Sequence, residues 1–195
     1  MNELWLFAGK SASGKTTIAD LLEKQHGCQQ VYSYTTRMPR YEGEIGHRFV
    51  TEEEFNNLGE LAAYTFYNGY HYGVTFDYLN ECNIYVIDPA GVENLLKKLP
   101  DDYRPIRIIY FDAAVSVRIE RMVDRGASDM EIVSRLYHDD TPDDWYRALE
   151  KLTWHYKNNE HRDIELYKIN ANENVENVLE QALYYIKQIK EDAIP

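Results

Sequence analysis

A short segment near the amino terminus has the residue types and the spacing of a phosphate-binding loop. Residues 9–16 read GKSASGKT and satisfy the pattern G-x-x-x-x-G-K-[ST]. The two glycines let successive backbone N–H groups point inward and surround phosphate oxygens at the start of a helix. In this pattern Lys15 reaches the β and γ phosphates, and the hydroxyl of Thr16 coordinates Mg²⁺. The segment therefore predicts a site for ATP or GTP, without identifying the group that accepts the phosphate.

The residues around this loop predict the elements that hold it. An apolar run over residues 4–8 precedes the loop, and Ile18, Leu21 and Leu22 fall on one face of a helix predicted over residues 15–25. A buried strand, a glycine-rich turn and an amphipathic helix form the unit in which such loops bind phosphate. The donor nucleotide is expected to contact Gly9, Ser11, Ala12, Ser13, Gly14, Lys15, Thr16 and Thr17.

A second candidate anion site follows at residues 33–40, which read SYTTRMPR. Arg37 and Arg40 lie on either side of Pro39, and two guanidinium groups can hold a dianionic phosphate through forked hydrogen bonds. Clustered arginines are notable in an acidic chain, and we interpret them either as binders of a small anion or as solvated helix faces. The two clusters are Arg37, Arg40 and Arg48, and Arg118, Arg121 and Arg125.

The phosphate loop and the TTRMPR block together resemble the guanylate kinase family of nucleoside monophosphate kinases. The resemblance extends through most of the chain, which also contains the matching pairs Tyr72-Gly73, Arg125-Gly126 and Arg135-Leu136 and the segment IDPAG at 87–91. A TTRxPR block beside a phosphate loop is highly specific, whereas the arginine spacing alone is weak. The resemblance implies phosphoryl transfer from ATP, with Mg²⁺, to a nucleoside monophosphate, and GMP is the first candidate acceptor.

The resemblance also implies which residues bind the acceptor. Arg37, Arg40 and Tyr72 would hold its phosphate, and Ser33 would lie near the base. His47 falls at or near the position of a second phosphate-binding tyrosine of the family. Asp88 would orient either the Mg²⁺ shell or the substrate, so the implied metal residues are Thr16 and Asp88.

On the donor side, the resemblance implies a set of catalytic cations. Lys15, Arg121, Arg125 and Arg135 would close over the phosphates and neutralise charge on the transferring group. Asn170, which ends the last predicted strand, loosely matches an asparagine beside the adenine.

Two positions depart from the family pattern where the base is read. The glutamate that reads guanine falls on Ala63, which can accept no hydrogen bond, and a second base-contact hydroxyl falls on Val74. The neighbouring Thr75 would face the other way in a strand. The sequence therefore predicts base discrimination that is shallow or directed at another base.

The apolar pattern predicts an α/β fold with a central parallel sheet covered by helices on both faces. Strand-like runs occur at residues 4–8, 84–87, 106–111 and 166–169, and helical patterns separate them. We expect one domain of the guanylate kinase type, with its core at residues 1–31 and 84–195. A β-rich monophosphate-binding region would be inserted at 32–83, and a short lid would lie near 121–140.

Two helices are predicted late in the chain. Thr141 and Pro142 have the types of an N-cap and a first helical residue, and an apolar stripe follows over residues 145–156. A last helix is expected after Asn174. The acidic residues Asp139, Asp140, Asp143 and Asp144 are interpreted as a helix cap and a solvated face rather than as a metal site.

Composition limits the possible functions. The chain has 195 residues and a formal net charge of -12, which argues against a protein that wraps nucleic acid. No apolar run approaches the roughly 20 residues of a membrane span, and the first residues do not resemble a secretory signal. With only two cysteines, the expected location is the cytoplasm. The six histidines have no metal-ligand spacing.

Two other functions remain open at this point. The first is a kinase of the same fold acting on another small metabolite, which the apolar residues Ala63 and Val74 partly favour. The second is a non-catalytic binding module that holds a partner peptide in the monophosphate cleft, which an intact phosphate loop disfavours. The sequence leaves the oligomeric state undetermined.

Overall fold

The computed structural model describes residues 3–39, 42–139 and 144–192, with side chains as far as residue 187. Its strands are β1 (Leu4–Ala8), β2 (Gln30–Val31), β3 (Tyr34–Thr35), β4 (Arg48–Phe49), β5 (Leu61–Tyr67), β6 (Tyr70–Thr75), β7 (Ile84–Val86), β8 (Ile106–Asp112) and β9 (Ile164–Asn170). Its helices are α1 (Lys15–His26), α2 (Glu52–Asn56), α3 (Phe76–Glu81), α4 (Pro89–Lys98), α5 (Val115–Asp124), α6 (Asp129–Asp139), α7 (Trp145–Asn158) and α8 (Val175–Asp192).

The central sheet has five strands in the order β2-β7-β1-β8-β9, and every pairing in it is parallel. The predicted α/β fold with a parallel sheet is confirmed, and its four predicted strands are β1, β7, β8 and β9. The sequence did not predict β2, because two residues are too few to show a period.

The strand β1 lies at the centre of this sheet and is buried on both faces. Leu4, Leu6 and Ala8 point into one apolar cluster, and Trp5 and Phe7 point into another. Alternate side chains of a strand face opposite sides, so two clusters on one strand mean helices on both faces. Helices α4 and α7 pack on the face that contains Leu4, Leu6 and Ala8, and helices α1 and α8 pack on the face that contains Trp5 and Phe7.

A second sheet forms from four strands between residues 34 and 75, in the order β4-β3-β6-β5. β5 and β6 are an antiparallel hairpin, with a register shift between Leu61 and Ala63. This sheet packs against the core through α4, whose Asn94 side chain accepts a hydrogen bond from the Tyr64 N–H. The predicted β-rich character of this interval is therefore present in the structure.

The late helices follow the predicted stripes but not every predicted boundary. α8 begins at Val175, after Asn174, and buries Val178, Ala182 and Ile186 as expected. In α7, the residues Leu149 and Tyr156 of the predicted stripe are buried. Among the described residues, no helix is both long enough and apolar enough to cross a membrane.

The predicted start of α7 is wrong. The helix begins at Trp145, and its N-cap is Asp144, whose carboxylate accepts hydrogen bonds from the N–H groups of Tyr146 and Arg147. Thr141 and Pro142, which were predicted to start the helix, lie outside the described residues. Aspartate is as good a cap as threonine, so residue type alone could not choose between them.

Gly91, in the first turn of α4, packs closely against residues that follow β7 and that belong to β5. A Cβ at this position would lie 2.6 Å from Cγ1 of Ile87 and 3.1 Å from Oγ1 of Thr65. We expect Gly91→Ala to lower the free energy of unfolding by about 1–3 kcal/mol, the usual effect of overpacking. Denaturant unfolding measures this loss. Gly59→Ala is the matched control, because nothing lies within 4 Å of its Cβ, and an equal loss in both variants would contradict the packing argument.

Candidate functional site

The phosphate loop connects β1 to α1 and is held against the end of β8. Gly9 has a φ of 150°, and a Cβ on this residue would lie 2.7 Å from the backbone oxygen of Phe111. Only glycine fits so close to another backbone. At the other end, Gly14 has a φ of 98° and is the N-cap of α1. The predicted loop geometry follows directly from these two glycines.

Lys15 is the first residue of α1, and its side chain bends back over the loop. Its Nζ donates to the backbone oxygens of Gly9 at 2.6 Å and Lys10 at 2.9 Å, and to Oγ of Ser13 at 3.3 Å. Burial lowers the pKa of Lys15 to about 8, and the nearby carboxylate of Asp139 opposes that decrease. An ammonium group held in this way is close enough to the loop to exchange its carbonyl partners for phosphate oxygens.

The anion that the loop binds in this structure is the carboxylate of the protein's own Asp139. Its Oδ2 accepts the backbone N–H of Ser11 at 2.9 Å, and its Oδ1 accepts the Ser11 hydroxyl at 3.0 Å. Arg118 donates to Oδ2 at 2.6 Å, and both side chains are almost completely buried. Asp139 is the last residue of α6, so this contact joins the predicted lid to the loop.

This arrangement corrects two sequence interpretations. Asp139 is 2% exposed and is not part of a solvated face, and Arg118 is an ion-pair partner rather than a residue reserved for a small anion. Arg48 also differs from the anion-binding interpretation, because its guanidinium stacks 3.7 Å from the Tyr78 ring centroid and bonds the Tyr34 hydroxyl. No local pattern marks these partners, which are far apart in sequence.

A cavity of about 200 Å³ opens between the phosphate loop and the second sheet, and we name it the acceptor cavity. The loop contributes Gly9, Ser11 and Lys15, and β7 and the start of α4 contribute Tyr85 and Asp88. The predicted acceptor residues that line it are Ser33, His47, Tyr72 and Asp88. The two departures from the family pattern, Ala63 and Val74, are almost completely buried, and Ala63 lines the cavity wall.

Asp88 is both a wall of the acceptor cavity and a helix cap. Its Oδ1 accepts the backbone N–H of Gly91 at 2.7 Å, and it is the N-cap of α4. Burial raises the pKa of this carboxyl, whereas the N–H groups of Gly91 and Ala90 and the charge of Lys15 lower it. A capping role does not exclude ligand contact, because a carboxylate has two oxygens.

Arg37 lies beside the acceptor cavity in an adjoining cavity that we name the lid cavity. Tyr72 and Ser11 line both cavities, and Arg135 of α6 lies across the lid cavity from Arg37. Arg37 forms a forked ion pair with Glu44, at 2.9 and 3.1 Å, and also donates to the backbone oxygen of Met38. The sequence contains no local signal for this pairing of Glu44 with Arg37, and it was not predicted. Arg40, the other half of the predicted clamp, lies outside the described residues.

The predicted donor-side residues surround the far side of the loop. Arg121 donates to the backbone oxygens of Ser13 and Glu173, and burial lowers its pKa, with a further decrease from Arg125. Arg121 and Arg125 line a small cavity with Ser13, Gly14 and Thr17. Asn170 ends β9 and donates to the carboxylate of Glu173, so it lies on the same side.

The remaining predicted side chains have simple structural positions. Thr16 is exposed at the start of α1, where its hydroxyl is open to a ligand. Thr75, the neighbour of Val74, is the N-cap of α3 and accepts the Tyr78 N–H. It therefore does not replace Val74 as a base reader, as the strand alternation predicted.

The fold and the loop together define a class of protein. A phosphate loop at the carboxyl end of a central parallel strand, facing a second cleft lined by a small mixed sheet, is the architecture of a P-loop phosphotransferase.

Comparison with known proteins identifies the family. The chain is 29% identical over 145 residues to guanylate kinase of Neisseria gonorrhoeae, covering 68% of this chain and 69% of that protein. It is 30% identical over 146 residues to guanylate kinase of Streptococcus pneumoniae, covering 68% of each chain. No family model matches the sequence.

A solved structure gives the same assignment for the fold. The crystal structure of guanylate kinase from Anaplasma phagocytophilum superposes with a TM-score of 0.55 at 18% identity, covering 96% of this chain and 85% of that one. The chain belongs to the guanylate kinase family, whose members are phosphotransferases that act on a nucleoside monophosphate.

The buried pair of Arg118 and Asp139 generates a prediction about stability. We expect Asp139→Ala to lower the free energy of unfolding by about 3–5 kcal/mol, because Arg118 would remain buried without its partner. Replacing both charges, in Arg118→Met with Asp139→Leu, should recover most of that loss. Denaturant unfolding of the single and double variants measures the coupling. If the double variant loses as much as the sum of the single variants, the two side chains do not act as a pair.

Proposed function

We propose that this chain transfers the terminal phosphoryl group of ATP to the phosphate of a nucleoside monophosphate held in the acceptor cavity. The observation that carries the proposal is that Lys15 and Ser11 of the phosphate loop line the same cavity as Ser33, Tyr72 and Asp88. Donor and acceptor would then meet in one cavity. Residues 32–83 would form the acceptor-binding region, with residues 121–140 as its lid.

The donor would bind along the loop and the start of α1. The N–H groups of residues 9–17 would surround the β and γ phosphates, where the positive end of the helix favours anions. Lys15 would leave the carbonyls of Gly9 and Lys10 for phosphate oxygens, and Arg121 and Arg125 would cover the nucleotide from above, with Asn170 beside the adenine. The carboxylate of Asp139 must leave Ser11 before a phosphate can approach the same N–H.

The donor set fits Mg²⁺ in its chemistry. This ion prefers oxygen ligands, and with nucleotides it binds through one or two protein oxygens, phosphates and water. The exposed hydroxyl of Thr16 meets that requirement. Asp88 accepts hydrogen bonds from the N–H groups of Gly91 and Ala90 and from Thr65, and its two oxygens have about four lone-pair sites, so capacity for a ligand remains. Within the described residues, no three His, Cys, Asp or Glu side chains converge on one point, as a dedicated protein cage for a metal would need. When bound, Mg²⁺ would neutralise phosphate charge.

The acceptor's phosphate would lie between the two cavities. Tyr72 lines both, and His47 lines the acceptor cavity. Glu44 and Met38 engage three of the five N–H groups of Arg37, and its Nε is buried without a hydrogen-bond partner among the described residues. This N–H would donate to a phosphate oxygen, as would the N–H groups released if the Glu44 pair opens. Arg40 completes this proposed clamp, and Arg135 would close it from the lid side.

The chemical step needs no side-chain nucleophile. An oxygen of the acceptor's phosphate forms a bond to the γ phosphorus as the bond from that phosphorus to the bridging oxygen of ADP breaks. Lys15 and the arginines stabilise the charge that spreads over the transferring oxygens. Closing the lid excludes water that would otherwise accept the phosphoryl group.

The first test is whether a nucleoside monophosphate stimulates ADP formation. We expect slow hydrolysis of ATP alone and faster ADP formation, with Mg²⁺, when an acceptor is added. Lys15→Met should reduce kcat/KM by about 10²–10³-fold, because a charge aimed at the transferring group is lost. Lys24→Met, on the exposed last turn of α1, is the control and should retain activity.

The outcomes separate the competing functions. Undiminished turnover in Lys15→Met would refute the assignment of the loop. ATP binding without stimulation by any ribo- or deoxynucleoside monophosphate would favour a kinase of another metabolite. Failure to bind ATP at all would favour a non-catalytic binding module.

The second test concerns the acceptor's phosphate. We expect Arg37→Ala to weaken acceptor binding by about 1.5–3 kcal/mol, the scale of a charged hydrogen bond, while ATP affinity is retained. Isothermal calorimetry with each ligand measures the two effects, and retained ATP affinity also reports that the variant is folded. Arg48→Ala is the control, since this exposed arginine of the same sheet packs on tyrosine rings. An equal loss for both ligands would place Arg37 in donor binding or in the fold.

A further inference from the structure

The resemblance places the family's guanine-reading residues at Ala63, which lines the acceptor cavity, and at Val74, which is fully buried beside it. Ala63 and Val74 occupy those positions, face each other across β5 and β6, and are 1% and 0% exposed. Neither side chain can form a hydrogen bond. If the acceptor is a nucleoside monophosphate, as proposed above, then its base meets an apolar wall on this side.

A pair of hydroxyl groups lies in the same cavity, on the side of the central sheet. Ser33 Oγ and the Tyr85 hydroxyl are 3.1 Å apart, and both residues line the acceptor cavity. Tyr85 is 4% exposed and Ser33 is 7% exposed, so the pair is shielded from solvent. Tyr85 belongs to β7 of the central sheet, and Ser33 lies in the connection between β2 of that sheet and β3 of the second sheet.

The chemistry of this pair differs from that of a carboxylate. Two hydroxyls have two protons, and their mutual bond uses one, so one O–H remains to donate to a ligand. Burial raises the pKa of Tyr85, which keeps its phenol neutral and able to donate. A carboxylate, in contrast, can only accept hydrogen bonds, and therefore suits the donor edge of guanine.

We infer that Tyr85 is a specificity-determining residue for the acceptor, and that its hydroxyl, together with Ser33, reads the edge of the base. This inference rests on the proposed function. The pair complements a base edge that presents a carbonyl oxygen or a ring nitrogen as an acceptor. Because hydroxyls rotate to suit their partners, the preference among bases is shallow, a ratio of about 10–200-fold in kcat/KM rather than the larger rejection by a rigid polar site.

The experiment compares kcat/KM for GMP, dGMP, AMP, UMP, CMP and dTMP in the wild type, Tyr85→Phe and Ser33→Ala. Tyr85→Phe should lower kcat/KM for the best acceptor by about 5–100-fold. It should also narrow the spread among acceptors, by which we mean the ratio of the highest to the lowest kcat/KM of the six. The KM for ATP should stay unchanged. The double variant should lose little more than Tyr85→Phe alone, because the two hydroxyls act as one unit.

Tyr156→Phe is the matched control. This tyrosine is also buried, at 5% exposure, but it faces the core from α7 and lines neither the acceptor cavity nor the lid cavity. Its removal should leave the spread among acceptors unchanged. ATP affinity, measured by calorimetry, checks that each variant is folded.

The results separate this inference from the function on which it rests. A wild type that no monophosphate stimulates would overturn the proposed function. A wild type that is active, with Tyr85→Phe showing the same spread among acceptors, would overturn the inference alone. A uniform loss for all six acceptors would also overturn it, since Tyr85 would then support the cavity without reading the base.

Discussion

The parallel pairing of β1 with both β7 and β8 is the constraint on which the functional site depends. It places the carboxyl ends of these strands at one edge of the sheet, so the segments that follow them converge there. The phosphate loop follows β1, and Asp88 follows β7. At the same edge, the backbone oxygen of Phe111 in β8 lies so close to Gly9 that no side chain fits between them. The position of the loop is thus fixed by the strand pairing and by the absence of a Cβ.

A buried ion pair connects the phosphate loop to helices α5 and α6. Asp139 is the last residue of α6. Its carboxylate accepts hydrogen bonds from Arg118 of α5 and from both the N–H and the hydroxyl of Ser11. The free-energy cost of burying two charges is offset only when their geometry and hydrogen bonds are good. Removing one partner therefore lowers the stability far more than replacing both partners. The pair also places the Asp139 carboxylate against Ser11 of the phosphate loop, and in the proposed function a phosphate would have to displace this carboxylate.

The second sheet carries both residues proposed to hold the acceptor's phosphate and the two positions that depart from the family pattern for reading the base. Arg37, Tyr72 and Asp88 stand where the family pattern expects them, and two of them line the acceptor cavity. Ala63 adds an apolar side chain to the wall of this cavity, and Tyr85 adds a hydroxyl from the central sheet. Tyr72, proposed to hold the phosphate, lies on β6, and Tyr85, proposed to read the base, lies on β7, so each can be substituted without altering the other.

The sequence alone determined the phosphate loop, the parallel sheet and most of the core. These features have short-range signals: two glycines at fixed spacing, apolar runs of strand length and stripes of helical period. The stripe of α7 was visible for the same reason, although its start was placed at Thr141 because several residues in that segment can cap a helix. The residues predicted to bind the donor and acceptor came from motif matches, and their roles stay predictions.

Only the tertiary structure decided which charged and polar groups meet. Asp139 lies 128 positions from Ser11, and Tyr85 lies 52 positions from Ser33. Glu44 is near Arg37 in sequence, but their pairing depends on the path of the intervening loop. A residue type states which hydrogen bonds a side chain can form, and the packing of distant elements selects the partner. The sequence therefore predicted a phosphate site, and the folded chain showed that the Asp139 carboxylate lies in it and that the hydroxyls of Ser33 and Tyr85 line the acceptor cavity.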